Sequence, residues 1–527
     1  MLYLRSVVCL CSLLLLATAS SAGEPPLPTI TQERLLGHLS FLASDELEGR
    51  DTGARGGEIA ALYIATQFEG YGLKPLTSEK DSTPQAYFQP FALDASTFRD
   101  VDLEIDGESF EYGKDFSFFD FTGGAEAEAE LIFCGYGITA PEFDYDDYAN
   151  VDVNGKFVLL LRHEPHEKTE GEFFQGLRHT RHALFAEKFR NAVRHGARGM
   201  ILVNDPLHCS KSANFGVTGP RAIRGLHKPT DTKKTENGAP EAKKKESGDT
   251  AAQSCMALFA SRKMATTLSE KINLLGLQTK IDTERAPASQ TTGLMVKARL
   301  RYEREVLSVP NVTAVLSGSD PKLRSEFVVV GGHFDHEGLQ NAKIMNGAND
   351  NASGIAGMLA TAEALSRLES KPARSVIFIA FNAEEKGLLG SRHYVDHPLV
   401  PLEDTIAMIN MDMIGRSTGN TVEILGTVYS PRLDQIARAA LSAAGVTDPI
   451  FKGPPLSGRS DHYPFFTRGV PVLVFHSDDM ADYHTPNDTI EKITIGTMQR
   501  IVKAIALSTW EVANMPERPK ILVLKRF

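Results

Sequence analysis

The spacing of apolar residues changes along the chain and predicts different secondary structure in each part. Near the amino end, Leu35 and Leu39 recur at helical spacing, and the capping-box pattern of 29–32 marks a helix start. A second helical stretch covers 57–68, and 87–121 then alternates between apolar and polar residues as strands do. The first part of the chain therefore combines helices with strands.

The middle of the chain has the sequence pattern of a separate, strand-rich module. Short apolar runs such as 156–161 are divided by Gly and Asp turns, and the helical pattern of 182–195 leads into a strand at 197–203. Residues from about 210 to 253 are polar and rich in lysine. A basic binding arm is one interpretation of that segment, but mixed charge with Gly, Pro and Thr is more typical of a solvated loop.

After Leu300, predicted strands alternate with predicted helices. The strands are 327–330, 376–381, 406–411 and 470–475. Between the first two, Ile355 and Leu359 belong to an apolar stripe at helical spacing, which indicates a helix packed on a core. Alternation of this kind builds an α/β sheet that is covered by helices on both faces.

Length and charge narrow the class of protein. A chain of 527 residues is too long for one ordinary core, so we expect two or three domains. Lys and Arg total 56 against 67 Asp and Glu, and this acidic balance disfavours binding to nucleic acid or to anionic membranes.

The first 22 residues have the pattern of a secretory signal peptide. Arg5 precedes an apolar run over 7–17, and small residues end at Ala22. A membrane anchor is the alternative, but the run is too short to span a bilayer. We therefore expect export, to the periplasm or the medium, with cleavage after Ala22. The cysteines of the remaining chain are not spaced as a zinc site.

Polar residues that can bind metal follow the predicted strands or precede the predicted helix. They are His333 with Asp335, Asp350, Glu384 with Glu385, Asp412 and His484. In sheets of this kind the loops at the carboxyl ends of the strands converge on one crevice, where ligands bind. Imidazole and carboxylate donors without thiolates suit a catalytic zinc site, and manganese or cobalt would also fit.

Two neighbouring metal ions need a carboxylate that contacts both, and Asp350 is our choice for that bridge. Glu384 and Glu385 are adjacent on a loop and point in different directions, so Glu385 is predicted to bind metal and Glu384 to act as general base. Each residue has an ordinary alternative, since an Asp near a helix start is usually a cap and a Glu pair is usually a solvated turn. Their combination in this order favours a metal centre.

The order and spacing of these motifs resemble those of a known family. The chain carries His-x-Asp at 333–335, Gly-Ala-x-Asp-x-Ala-Ser-Gly at 347–354, Glu-Glu at 384–385, Asn-x-Asp-x-x-Gly at 410–415 and a final His484. This pattern is similar to that of the co-catalytic di-zinc exopeptidases related to bacterial leucyl aminopeptidase, aminopeptidase Y and glutamate carboxypeptidase. The resemblance implies an open mixed sheet between helices and two Zn²⁺ ions per chain.

The resemblance also implies how the metal ligands are shared. One zinc ion would be held by His333, Asp350 and Asp412, and the other by Asp350, Glu385 and His484. Asp335 would orient His333 from outside the ligand set.

Other polar residues near these motifs receive weaker assignments. Arg459 and Tyr483 match an arginine and a tyrosine that assist substrate binding and the oxyanion in the family. A surface ion pair and a packed ring are the ordinary explanations for these two residues. His336, His393 and His462 are interpreted as structural.

Two further stretches resemble parts of the same family. Residues 33–75, with Leu42-Ala-Ser-Asp-Glu-Leu-Glu-Gly-Arg50, resemble the start of its bacterial members, and 129–292 resemble the protease-associated (PA) module inserted in many of them. The predicted division is a signal peptide at 1–22, peptidase residues at 23–128, a PA domain at 129–292 with the lysine-rich loop at about 210–253, the catalytic domain at 293–516 and a tail at 517–527.

The predicted function is that of an exported zinc aminopeptidase that releases amino-terminal residues from peptides. A carboxypeptidase of the glutamate carboxypeptidase type, a glutaminyl cyclase-like aminoacyltransferase and a non-catalytic binding protein of the same fold remain as alternatives. A serine hydrolase is disfavoured, because Gly-x-Ser-x-Gly at 415–419 precedes a predicted strand, whereas a nucleophile elbow leads into a helix. We expect a peptide substrate as the partner and neither nucleic acid nor a membrane span, and leave the oligomeric state open.

Overall fold

A computed structural model describes most of the chain. The described residues are 30–77, 83–167, 173–176, 179–207, 221–227, 252, 254–340, 343–454, 456, 458–476 and 479–522. The predicted signal peptide, Cys209 and most of the lysine-rich loop lie outside these residues. Within them, none of the helices combines the length and the apolar character that crossing a bilayer requires.

Helices and strands alternate through the described chain. The α-helices are α1 (Gln32–Leu42), α2 (Arg55–Gly70), α3 (Phe185–Arg194), α4 (Arg262–Ile272), α5 (Leu274–Glu284), α6 (Gly354–Ser366), α7 (Leu389–Asp396), α8 (Pro431–Ala444), α9 (His462–Thr467) and α10 (Ile495–Asn514). The strands up to the middle of the chain are β1 (Lys74–Pro75), β2 (Phe88–Ile105), β3 (Glu108–Phe110), β4 (Phe116–Phe118), β5 (Ala125–Phe133), β6 (Thr139–Ala140), β7 (Tyr145–Asp146), β8 (Phe157–Leu161), β9 (Gly199–Val203), β10 (Arg221–Leu226) and β11 (Met256–Ala260). The later strands are β12 (Gln290–Leu316), β13 (Phe327–His333), β14 (Leu339–Gln340), β15 (Lys343–Ile344), β16 (Ser375–Phe381), β17 (Thr405–Asp412), β18 (Thr421–Leu425), β19 (Asp448–Phe451) and β20 (Val472–His476).

One mixed sheet connects most of these strands. Hydrogen-bonded neighbours follow the order β19-β18-β20-β17-β13-β16-β12-β5-β8-β9-β11-β4. In the carboxyl-terminal half, β13, β16, β17 and β20 are parallel, whereas β12 and β18 pair antiparallel with their neighbours in this group. The predicted mixed α/β sheet is confirmed, and the four predicted strands occur with bounds that differ by one to three residues.

Helices cover both faces of the carboxyl-terminal half of the sheet. Successive residues of a strand point to opposite faces. Val328 and Val330 accordingly pack into a core shared with α1, α2, α6, α8 and α10, whereas Val329 packs into a second core with Tyr394 of α7 and Phe465 of α9. The prediction of helices on both faces is therefore confirmed.

The strand-rich middle of the chain forms a second part of the same sheet. Strands β5, β8, β9 and β11 run parallel to one another, and α3 packs beside β9. Strand β12 joins this part to the carboxyl-terminal part of the sheet, because it pairs with β2 and β5 through its first residues and with β16 near its end. Its 27 residues run through position 293, where the sequence analysis placed a domain boundary. The strand contains Gly293, whose φ is 74°, and Pro310, residues that usually mark turns, so the sequence does not predict a strand of this length.

Two predicted helix starts lie slightly elsewhere in the structure. The cap of α1 is Thr31, whose hydroxyl accepts a hydrogen bond from the Arg34 amide at 3.2 Å, so the helix begins two residues after the predicted capping residue Thr29. The helix predicted from 182 begins at Phe185, because Arg181–Ala183 form a separate 3₁₀ turn.

A buried arginine joins the amino-terminal segment to the loops that follow β13. The Arg50 side chain is 1% exposed, and it donates hydrogen bonds to the backbone oxygens of Phe334 at 2.8 Å, Asn346 at 2.6 Å and Gly347 at 3.0 Å. It also donates to the Leu42 oxygen, at the end of the first helix. Burial lowers the pKa of Arg50 to about 10, so the guanidinium stays charged at neutral pH. One side chain thus satisfies backbone groups of three separate segments.

We expect Arg50→Met to lower the free energy of unfolding by more than about 3 kcal/mol, because each buried carbonyl that loses its donor costs about 1–3 kcal/mol. Urea denaturation followed by fluorescence measures the change in the first unfolding transition. Arg432→Met is the matched control, since Arg432 is exposed and hydrogen-bonds only to Gln435 among the described contacts. Equal stability of the two variants would contradict the role assigned to Arg50.

Candidate metal centre

The residues predicted to bind metal converge at the carboxyl edge of the parallel strands. His333 is the last residue of β13, Asp412 is the last residue of β17, and Glu384 with Glu385 follows β16. The strand registers place these ends side by side, because His333 pairs with Phe381 and Asp412 with His476. Backbone pairing alone therefore brings together side chains that are far apart in the sequence.

Asp350 lies at the centre of the cluster and presents its two oxygens to two different groups. Its Oδ1 is 3.4 Å from His333 Nε2, which is also 3.4 Å from Asp412 Oδ1. Its Oδ2 is 3.2 Å from His484 Nε2, which is 3.1 Å from Glu385 Oε2. The structure thus forms two triads that share one carboxylate. The first triad is His333, Asp350 and Asp412, and the second triad is Asp350, Glu385 and His484.

The spacing of these atoms suits zinc. Zinc bonds to nitrogen and oxygen of about 2.0–2.2 Å in a tetrahedral arrangement place ligand atoms about 3.3–3.6 Å apart. The distances from imidazole nitrogen to carboxylate oxygen in the two triads are close to this, at 3.1–3.4 Å. His333, Asp350 and Asp412 are buried, whereas the His484 side chain is 28% exposed. The second triad is therefore the one that solvent reaches.

The two neighbouring glutamates take up different positions, as predicted. Glu385 contacts His484, whereas Glu384 points toward the first triad, with its Oε2 3.9 Å from His333 Nε2. Burial raises the pKa of Glu384 well above its usual range. Burial would also raise the pKa of Glu385, but the charges of His484 and His336 bring it well below the usual value. Glu384 therefore holds a proton more readily than Glu385 does.

The histidines and the acids of the cluster stabilise each other's charges. Burial by itself would lower the pKa of His484, but Glu385 and Asp350 raise it to about 11. In the same way burial would raise the pKa of Asp412, but the hydrogen bond and charge of His333 lower it to about 2. A site with this balance strongly favours bound positive charge.

Asp335 supports the cluster through two kinds of contact. His333 Nδ1 hydrogen-bonds the backbone oxygen of Asp335 at 3.2 Å, while the Asp335 carboxylate is 3.9 Å from the same nitrogen. The carboxylate instead accepts hydrogen bonds from the amides of Glu384 at 3.1 Å and Glu385 at 3.3 Å, and from Thr52 at 3.1 Å. Asp335 orients the His333 ring mainly through its backbone, and its side chain holds the loop of the two glutamates.

His336, which the sequence analysis interpreted as structural, belongs to the cluster. Its Nδ1 is 2.9 Å from Glu385 Oε1 and 3.8 Å from Asp350 Oδ2, and its side chain is fully buried. The spacing His333-x-x-His336 could have signalled this contact, since His333 ends β13 and His336 lies on the loop that follows. His393 and His462 are not among the residues that gather around Asp350.

Tyr483 and Arg459 border the second triad. The Tyr483 ring lies 3.8 Å from the His484 ring, measured between centroids, and the exposed Arg459 guanidinium is 5.9 Å from the Tyr483 ring. Burial raises the pKa of Tyr483, so its hydroxyl stays protonated at neutral pH. Of these two predicted residues, Tyr483 is the one in contact with a member of the cluster.

Asp488 is a supporting residue that the sequence analysis missed. Its buried carboxylate accepts hydrogen bonds from the backbone amides of Asn349 at 3.0 Å and Asp350 at 3.0 Å. The Asp350–Asn351 peptide bond that follows is cis. No motif points to Asp488, because it acts on a backbone segment more than a hundred residues earlier in the chain.

Comparison with known families agrees with this geometry. Residues 311–509 match the model of peptidase family M28, and residues 127–262 match the model of the PA domain. The first match contains every residue of the two triads, and the second contains the parallel strands β8, β9 and β11.

Curated proteins with similar sequences include an aminopeptidase and a leupeptin-inactivating enzyme. The chain is 31% identical over 204 residues to aminopeptidase YwaD of Bacillus subtilis, and 30% identical over 236 residues to leupeptin-inactivating enzyme 1 of Streptomyces exfoliatus. These alignments cover 37% and 40% of this chain, and 43% and 50% of the relatives. The chain therefore matches about half the length of these relatives.

Solved structures share the fold over nearly the whole chain. An aminopeptidase from Aneurinibacillus sp. strain AM-1 superposes with a TM-score of 0.62 at 23% identity, covering 94% of this chain and 97% of that one. A zinc aminopeptidase from Bacillus subtilis superposes with a TM-score of 0.61 at 19% identity, covering 92% and 95%. The solved structures show the fold, and the two family models identify its parts: residues 311–509 match peptidase family M28 and residues 127–262 match the PA domain.

Proposed function

We propose that this protein is an exported, zinc-dependent aminopeptidase. The observation that carries the proposal is the position of Asp350, whose two oxygens face two separate triads of imidazole and carboxylate donors. One zinc ion would be held by His333, Asp350 and Asp412, and the other by Asp350, Glu385 and His484. The leader pattern of residues 1–22 supports export.

Glu384 is the general base in this proposal. Zinc at the two triads would supply a Lewis acid for the scissile carbonyl and would acidify the attacking water. Glu384 faces the first triad without joining either ligand set, and its raised pKa favours taking a proton from water and passing it to the leaving amine. The Tyr483 hydroxyl, which stays protonated, can donate to the carbonyl oxygen as charge develops there. Arg459, exposed at the rim, is assigned to substrate binding.

We place the cleavage at the amino end of the peptide. The sequence relatives include aminopeptidases and leucine aminopeptidases by name, and the sequence pattern around Asp350 and His484 resembles the aminopeptidase branch of the family. A free α-amine is a cation, and the carboxylates of the cluster would attract it. A carboxypeptidase would instead recognise a carboxylate, for which the exposed Arg459 is the available cation beside Tyr483.

Specific observations weigh against the other candidate functions. A glutaminyl cyclase-like transferase works with one metal, whereas both triads are complete here. A non-catalytic binding protein would not need Glu384 directed toward the first triad. The Ser417 hydroxyl hydrogen-bonds to Thr421 in its own turn, and strand β18 follows, so this serine is not on a nucleophile elbow.

The amino-end assignment is tested with paired substrates. We expect an unblocked amino-acyl anilide to be cleaved, and acetylation of its amine to reduce kcat/KM at least about 100-fold, because the cationic amine is lost. Metal chelation should abolish cleavage of the unblocked substrate. Release of carboxyl-terminal residues from an amino-blocked peptide, followed by mass spectrometry, would instead make the protein a carboxypeptidase.

We expect Glu384→Gln to lower kcat by about 10²- to 10⁴-fold while the metal content stays unchanged, because the residue moves a proton without holding metal. Steady-state kinetics with elemental analysis of the same samples measures both effects. Glu369→Gln is the control, since Glu369 is exposed and follows the end of α6, whereas the loop with Asp350 precedes its start. A variant with full activity, or one that loses metal, would show that Glu384 has a different role.

A further inference from the structure

A second cluster of histidines and acids lies within the part of the chain that matches the PA domain. Strands β8 and β9 are parallel, with Leu161 paired to Val203 at their carboxyl ends. His163 and Asp205 each lie two residues beyond this pair, so the two strands deliver them side by side. This is the same placement that brings together the triads around Asp350, and ligands bind at such edges in α/β structures.

The His163 ring nitrogen lies between two carboxylates in this cluster. His163 Nδ1 is 2.9 Å from Glu167 Oε2 and 3.0 Å from Asp205 Oδ2. An imidazole nitrogen carries at most one hydrogen, so it cannot make a full hydrogen bond to both carboxylates at once. The His163 ring is therefore positioned by an acid of its own loop and by an acid at the end of β9.

His179 completes the donor set. One ligand atom from each of His163, Glu167 and His179 lies within 4.8 Å of the others, and the two imidazole rings are 5.2 Å apart. The His179 side chain is half exposed, so its ring has room to turn toward the other donors. The adjacent Thr180 donates hydrogen bonds to Glu164 at 2.7 and 2.5 Å, which fixes the backbone next to His179 beside the loop that leaves β8.

Buried negative charge favours a cation at this position. Glu164, Glu167 and Asp205 are 0%, 8% and 0% exposed. Lys188, on which the charges of Glu164 and Asp205 act, is itself buried, and burial lowers its pKa to about 7. Gln278 donates to Asp205 at 2.9 Å but brings no charge. Buried carboxylates beside a lysine that is only partly charged at neutral pH are surroundings that favour a bound cation.

The backbone of the loop is also held in an unusual conformation. His163 and His166 have φ values of 65° and 63°, in the left-handed region that is unfavourable for a residue with a side chain. Such conformations persist where surrounding contacts impose them, and they are concentrated at functional sites. Two of them within four residues mark this loop as a constrained one.

We propose that His163, Glu167 and His179 form a third metal site, for a divalent transition metal and in the first place Zn²⁺, with Asp205 as the carboxylate that positions the His163 ring. Two imidazole nitrogens and one carboxylate oxygen are a donor set that suits this ion and leaves a position for water. The site would join the ends of β8 and β9 to the segment at His179. None of its residues belongs to the triads around Asp350, so the proposal stands independently of the peptidase activity.

Metal content of the purified full-length protein tests the proposal. After dialysis against metal-free buffer, we expect elemental analysis to find one zinc equivalent fewer per chain in His163→Gln/His179→Gln than in the unmodified protein, with kcat on the amino-acyl anilide retained. His195→Gln is the control, because His195 stacks on Tyr148 outside the cluster and its loss should leave the metal content unchanged. Asp350→Ala should remove zinc from the triads and leave the equivalent bound by this cluster.

Thermal unfolding gives a second readout that does not depend on catalysis. In the Asp350→Ala background, added Zn²⁺ should raise Tm, and Glu167→Gln should weaken zinc binding at least about 10-fold in a competition titration. Glu167→Gln preserves the size of the side chain. It tests zinc binding by the cluster if the double histidine variant does not fold. Equal zinc content in the unmodified protein and the cluster variants, with no Tm response in the Asp350→Ala background, would overturn the proposal.

Discussion

Neutralising a group of buried carboxylates is the constraint on which the site depends. Asp350, Glu384, Glu385 and Asp412 are gathered at one sheet edge, where two like charges about 4 Å apart repel by about 4 kcal/mol at an effective dielectric constant near 20. The imidazoles offset part of this repulsion, as the opposed pKa shifts of His484 and Asp412 indicate. Because the two Asp350 oxygens face different triads, the negative charge that is still not balanced lies at two neighbouring positions. A two-metal hydrolase binds one cation at each of two such positions.

Rigidity of this group comes from residues that contact backbone rather than metal. Arg50 donates to carbonyls of the loops on either side of the ligands, Asp488 receives the amides of Asn349 and Asp350, and the Asp335 carboxylate receives those of the two glutamates. These contacts are buried or partly buried, and each joins segments that are distant in sequence. They explain how irregular loops keep ligand atoms within the narrow range of distances that zinc accepts.

The sequence predicted the strands and the ligand residues because both have local signals. Buried strands are short apolar runs, and His333, Asp350 and Glu385 lie in motifs at their ends. Arg50 and Asp488 act on backbone groups that are more than a hundred residues away in the sequence, which leaves no pattern in either segment. The contact of His336 with Glu385 was not predicted, because one histidine near a motif resembles a packed one. The PA-domain cluster escaped notice because Glu167, His179 and Asp205 have no recognised metal spacing, and only the pairing of β8 with β9 brings Asp205 to His163.

A shared carboxylate between two metal ions is the central claim, and anomalous X-ray diffraction at the zinc absorption edge tests it most directly. Crystals of the full-length protein with zinc should give two strong anomalous peaks beside Asp350, one next to each carboxylate oxygen, with His333 and Asp412 around the first and Glu385 and His484 around the second. A single peak in this region, or two peaks of which only one touches Asp350, would contradict the account.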